Sequence, residues 1–352
     1  MKTGSGATSG AGDSGSAGAR SEPEPAAPPA RPSEGAPKPP RTALGRLFQS
    51  VLVRFVVGYV LLNWVARWIA GALRAPLYAL CDWIAGWWGG VYPDVGYPRI
   101  PEAMAAVAVP TVIYWSFVSL SERRRVRELG GGWGGLAEGG MGLLLGAGLF
   151  AAIVGLLALA GAYEVLGRQE WTVVQWSLPA AAVAFREEML YRGIVQRVSE
   201  ERLGSWLALG LAAAWFGFMH ADNPNAGAFD GLMIALFGGV LLGACYLATR
   251  CLWLAIGVHA AWNFVEGGVF GMPVSGYDIP GLLRSSLSGP QWLTGGAFGP
   301  ESSLVTLGVC TAASSALLTI AWKRGHLRPV RLRRRTHPPA PLPPLPGAWR
   351  AD

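Results

Sequence analysis

Three groups of polar residues fall on three apolar stretches of this 352-residue chain. In order they are Glu187-Glu188-x-x-x-Arg192, Phe216-x-x-x-His220 and His259-x-x-x-Asn263. An ionisable side chain at the bilayer centre costs roughly 2.5–3.5 kcal/mol on insertion scales. Repeating that cost on three segments points to joint use. A carboxylate that takes a proton from water, a histidine that relays it, and N–H groups that hold an oxyanion are sufficient for hydrolysis of a peptide bond.

The spacing divides the labour. Glu188 and Arg192 are one helical turn apart and can pair on one face. Glu187 lies about 100° around the helix from Glu188, so one carboxylate can be held by Arg192 while the other stays free to act as a base. Of the four histidines, His326 and His337 belong to the C-terminal tail, leaving His220 and His259 on apolar segments. A neutral imidazole can relay a proton or ligate a metal, and Asn263 shares a face with His259. Glu187, His220 and His259 could together ligate zinc, although no H-E-x-x-H motif is present. Each piece also has a plain structural use. A Glu–Arg pair at helical spacing is most often a salt bridge, a lone histidine in an apolar helix is most often a bonded core residue, Phe216 packs, and Asn263 can link helices. Arg186, Gln175, Gln196 and Glu266 read as interfacial. The combination on three segments shifts the balance toward chemistry.

The elements that must position these residues are membrane helices. The chain is 51% hydrophobic and 14% charged, with 49 Gly and 16 Trp. Soluble domains carry about a quarter charged residues. Apolar stretches long enough to span occur at 47–73, 103–120, 141–166, 173–198, 203–219, 229–248, 251–270 and 304–322. The expected fold is therefore all-α: a polytopic transmembrane helical bundle of about eight spans over 47–322, with its motif core at 170–270. The run 77–91 is too short and too rich in Trp and Gly to assign. Residues 1–46 are rich in Gly, Ser, Ala and Pro and read as a disordered tail, and 323–352 as a basic, Pro-rich tail. Excess Lys and Arg mark cytoplasmic loops. The segment 123–127, the Arg197/Arg202 turn, Arg250 and both tails then share the cytoplasmic side, with Asp82, Asp94, Glu164, Asp222 and Asp278 opposite. The net charge of +7 follows this pattern, which excludes nucleic-acid binding. Cys81, Cys245, Cys251 and Cys310 form no C-x-x-C pair and read as small packed hydrophobes. No internal repeat is evident, which counts against a proton-coupled transporter built from repeated halves.

The three motifs resemble the CPBP family, also called the CAAX prenyl protease 2 or Abi family, in residue type, order and spacing. The resemblance covers roughly residues 170–270. It implies a multi-helix intramembrane endopeptidase in which Glu187, assisted by His220, activates water, while His259 and Asn263 hold the oxyanion. Glu188, Arg192 and Phe216 support the site. Members are described both as metalloproteases and as glutamate-dependent enzymes, so zinc stays open. The implied partner is a membrane-anchored protein or peptide, such as a CAAX-type tail or a C-terminal sorting tail, and the implied location is a bacterial inner membrane. The alternative is a non-catalytic immunity or scaffold protein of the same fold.

Overall fold

The computed structural model describes residues 50–87 and 99–330. The tail 1–46, residues 331–352 of the C-terminal tail and the end of the 77–91 run lie outside the described residues; the earlier part of that run continues the first helix to Trp87. Six helices are long and apolar enough to cross a membrane: Val51–Trp83, Ile100–Glu122, Trp133–Leu159, Trp171–His220, Ala228–Thr249 and Leu304–Lys323. The protein is thus an integral multi-pass membrane protein built as a helical bundle. The expected count of eight is not reached by this measure. Segments 173–198 and 203–219 lie within one helical run, Trp171–His220. Segment 251–270 forms an 11-residue helix, Trp253–Asn263, followed by a π-helical turn, Phe264–Val269.

We label the elements α1 (Val51–Trp83), α2 (Ile100–Glu122), α3 (Trp133–Leu159), α4 (Leu178–Glu188), α5 (Arg197–His220), α6 (Ala228–Thr249), α7 (Trp253–Asn263) and α8 (Leu304–Lys323). Within α5, Gly204 has φ +71°, a left-handed conformation that turns the chain. The third span starts and ends earlier than its hydropathy suggested. Gly161 at φ +70° closes α3. The amide of Ala162 donates to the Leu157 carbonyl at 2.8 Å and that of Gly161 to Ala158 at 2.9 Å, the paired bonds of a glycine-terminated helix end. The freed residues form β1 (Tyr163–Arg168), paired antiparallel with β2 (Leu283–Leu287) across a bulge at Val165/Gly167.

Glycine lets α3 and α7 touch backbone to backbone. A Cβ placed on Gly142 would lie 2.5 Å from the Leu254 carbonyl oxygen, and one on Gly146 would lie 2.3 Å from that of Val258. Small residues permit this approach in membrane bundles, where packing rather than hydrophobic burial drives association. The contact fixes α7, and therefore His259 and Asn263.

One end of the bundle gathers charge. Arg197 donates to both oxygens of Glu122 at 2.6 and 2.9 Å, and Arg124 donates to Glu128 at 2.8 Å. Arg54 reaches Glu201, and Arg250 reaches Glu200. Beyond α8, the amide of Ser205 donates to the Arg328 carbonyl at 2.9 Å and the amide of Arg328 to Ser205 Oγ at 2.8 Å, so the departing chain is strapped to this same end. Glu128 lies in the loop between α2 and α3. Burial would raise its carboxyl, but the hydrogen bond from Arg124 and the charges of Arg197 and Arg124 outweigh burial and hold it down to about 2. A depressed carboxylate contributes stability that is full above its unfolded value, near 4.5, and is lost as pH falls toward 2. Glu128→Gln should lower the thermal midpoint in detergent at neutral pH, and the gap from the parent should shrink on acidification through that window. A gap independent of pH would show that the charge of Glu128 contributes nothing.

Candidate active site

The polar groups of α4, α5 and α7 meet in the half of the bundle away from the charged end. α4 brings Glu187 and Glu188 and passes into a π-helical turn, Met189–Gln196, which carries Arg192. π turns widen the helix locally and recur at functional sites. A second one, Ala235–Gly239 in α6, presents the carbonyls of Gly238 and Gly239, to which Arg192 Nη2 donates at 3.3 and 3.1 Å. Arg192 is completely buried; its Nη1 donates to Glu188 Oε1 at 3.0 Å, and its guanidinium lies 4.7 Å from the centre of the Phe216 ring. Phe216 in turn packs against His220, the ring centres 4.4 Å apart and the planes tilted by 49°. A cation against an aromatic face is attracted by the ring quadrupole, so Phe216 joins the Arg192 and His220 sides of the site.

Both histidines have fixed tautomers. His220 Nδ1 lies 2.7 Å from the Phe216 carbonyl oxygen. A carbonyl only accepts, so Nδ1 carries the proton and Nε2 of the neutral ring is left with its lone pair. His259 Nδ1 lies 2.8 Å from Glu188 Oε1, which assigns that proton by the same logic. Its Nε2 stands 3.9 Å from Glu187 Oε2. Glu188 therefore takes two donors on one oxygen and would balance positive charge on the His259 ring, as a carboxylate behind a catalytic imidazole does. Glu187 is held differently: Arg186 Nη2 donates to its Oε1 at 2.9 Å, and Arg186 is steadied by Asn63 Oδ1 at 3.3 Å. Asn263 Nδ2 donates to the Ala180 carbonyl at 3.0 Å, leaving its second N–H for another acceptor.

Glu187, His220, His259 and Asn263 all line one cavity of about 660 Å³. Behind the histidines lies a smaller chamber of about 30 Å³, shared by His220, His259, Asn263, Ser275 and Glu301, enough for a water with several polar partners. Glu301 was not singled out as a site residue by sequence. It is buried, accepts from Trp262 Nε1 at 3.1 Å and from Ser275 Oγ at 2.6 Å, and ties the loop before α8 to α7. Its position in a Gly/Pro-rich loop just ahead of α8 carries no periodic signal. Arg186, read as interfacial from sequence, clamps Glu187. Glu266 is fully buried in the π-helical turn after α7 rather than interfacial.

Zinc does not fit this arrangement. Among the described residues, no three His, Cys, Asp or Glu side chains form a group that could hold a metal ion. Glu187 also has the Arg186 guanidinium on one oxygen, a neighbour that opposes a dication there.

Fold and site together define an integral membrane protein whose bundle encloses a carboxylate–imidazole cluster in a cavity. Residues 169–265 match the family described as Type II CAAX prenyl endopeptidase Rce1-like. This agrees with the CPBP resemblance carried by the three motifs, and the matched segment contains every motif residue from Glu187 to Asn263. The family points to an intramembrane protease. No curated protein and no solved structure matches the chain.

Proposed function

We propose that this protein is an intramembrane endopeptidase that cleaves membrane-anchored proteins or peptides by water activated at Glu187. The observation that carries the reading is the convergence of Glu187 Oε2, His259 Nε2, His220 and the Asn263 amide on one cavity within the bundle. Water bound there attacks the scissile carbonyl carbon as Glu187 accepts one of its protons. The oxyanion is held by the spare Asn263 N–H and by Nε2–H of His259 in its imidazolium form, which carries a proton from solvent unchanged through the cycle and whose charge Glu188 balances. His220, its ring oriented by the Phe216 carbonyl, shares the proton taken from water and returns it to the leaving amine as the C–N bond breaks. Hydrolysis then balances with one water consumed and no other reactant.

Purified protein in liposomes, offered single-span peptides with varied juxtamembrane sequences, should cut one bond. His220→Ala should cut at least about 100-fold more slowly, the usual scale for a lost proton-transfer group. Cleavage by His220→Ala at the parent rate would overturn the role given to His220. Active protein after extensive dialysis should contain no stoichiometric zinc by elemental analysis.

A further inference from the structure

The cavity and the charged end face opposite ways. α5 leaves the Arg197–Glu200 cluster and reaches His220 after a segment, Ser205 to His220, of roughly 24 Å at 1.5 Å per residue. α8 runs the other way, from just beyond Glu301 down to Lys323. His220 and Glu301 therefore lie at the end remote from Arg197, Arg250 and Arg328. The cavity is lined on its outer side by Asn223, Ser275, Tyr277 and Asp278, all from loops at the remote end, and by Trp176 ahead of α4. No residue of the segments 123–132, 197–204, 250–252 or 324–330 lines it. Toward the charged end it is sealed: every residue from Met189 to Gln196 is buried. Arg67, on α1, stands on the cavity wall with no ion-pair partner among the described residues.

Charge then fixes which face is which. The sealed end carries Arg123, Arg124, Arg125 and Arg127, then Arg197, Arg202 and Arg250, and leads into a tail with Arg331, Arg333, Arg334 and Arg335. The chain also enters the bundle at this end, where Arg54 meets Glu201. The open end carries Glu102, Glu164, Glu170, Asp222 and Asp278 against Arg74, Arg99, Arg168 and Arg284, fewer cations than the sealed end holds. Short loops rich in Lys and Arg stay in the cytoplasm.

We infer that the site opens to the extracytoplasmic face, and that its substrate is polypeptide presented there beside a membrane anchor, that is, a translocated protein rather than a cytosolic lipid-modified tail. The substrate clause rests on the endopeptidase reading; the sidedness does not. A peptide leaving its own span on that face meets the mouth at Asp278 directly, whereas one on the cytoplasmic face meets the sealed end.

Sidedness is tested with single added cysteines in the full chain, labelled in intact spheroplasts with a membrane-impermeant maleimide and corrected for the parent's four native cysteines. Asp222→Cys and Asp278→Cys should label at least tenfold more than Arg125→Cys, which should react only once the membrane is opened. Labelling of Arg125→Cys in intact spheroplasts, or of the two rim positions only after opening, would overturn the orientation. The substrate clause is tested by placing one cleavable juxtamembrane sequence on either side of the same anchor. Cutting confined to the extracytoplasmic version supports it, and cutting of the cytoplasmic version overturns it. An inactive protein would still report its sidedness, so failure of the endopeptidase reading is seen separately.

Discussion

Glu187→Gln should lower kcat by about a thousandfold, within the 10²–10⁴ range of general-base contributions, while the protein folds and unfolds as the parent does. The two halves of that expectation come from different contacts. Glutamine keeps an amide oxygen that can accept from Arg186, the one hydrogen bond that anchors Glu187 Oε1. It cannot take a proton from water at the position of Oε2, beside His259. Glu187 also carries less of the packing than its neighbour, because Glu188 is fully buried and accepts from both Arg192 and His259. The measurements are cleavage rate at saturating substrate and thermal unfolding in detergent. A rate within tenfold of the parent would move the base elsewhere, with Glu301 in the inner chamber as the next carboxylate to test.

The division between Glu187 and Glu188 was legible in the sequence because helical geometry alone separates adjacent residues and pairs those four apart. The motif histidines were legible for a related reason: ionisable groups on apolar segments are rare enough to be conspicuous. What holds them in place was less visible. The π turns at Met189–Gln196 and Ala235–Gly239 leave no mark in hydropathy, yet the second of them supplies the carbonyls that Arg192 needs. Gly142 and Gly146 read as ordinary membrane-helix glycines, and only the backbone contact with α7 gives them a position-specific reason. The helical run Trp171–His220 hides a reversal in one residue, Gly204, whose left-handed backbone no apolar count can detect. Glu301 escaped because its partners, Trp262 and Ser275, come from α7 and from the loop after it, so the cluster exists only once the loop folds back. Arg186 was misjudged because its partner is the adjacent residue, a spacing that helical side-chain rules do not pair.

Arg192→Met should destabilise the protein by about 3–5 kcal/mol, the usual cost of stripping one partner from a buried ion pair, and should do so with a smaller loss of activity per folded molecule than Glu187→Gln causes. Methionine fills much of the same space beneath Phe216, so the penalty is electrostatic. Glu188 would keep only His259, and the Gly238 and Gly239 carbonyls would lose their donor. With Arg192 gone, Glu188 still faces His259 Nδ1, which is why the chemistry should outlast the fold's loss of strength. The double variant Glu188→Gln/Arg192→Met separates the causes. If the cost is an uncompensated buried carboxylate, neutralising it should recover part of the lost stability, leaving the deficit of the two guanidinium–carbonyl hydrogen bonds. Unfolding midpoints of the parent, both single variants and the double variant in one detergent give the coupling directly. An Arg192→Met protein as stable as the parent but inactive would place the guanidinium at the substrate.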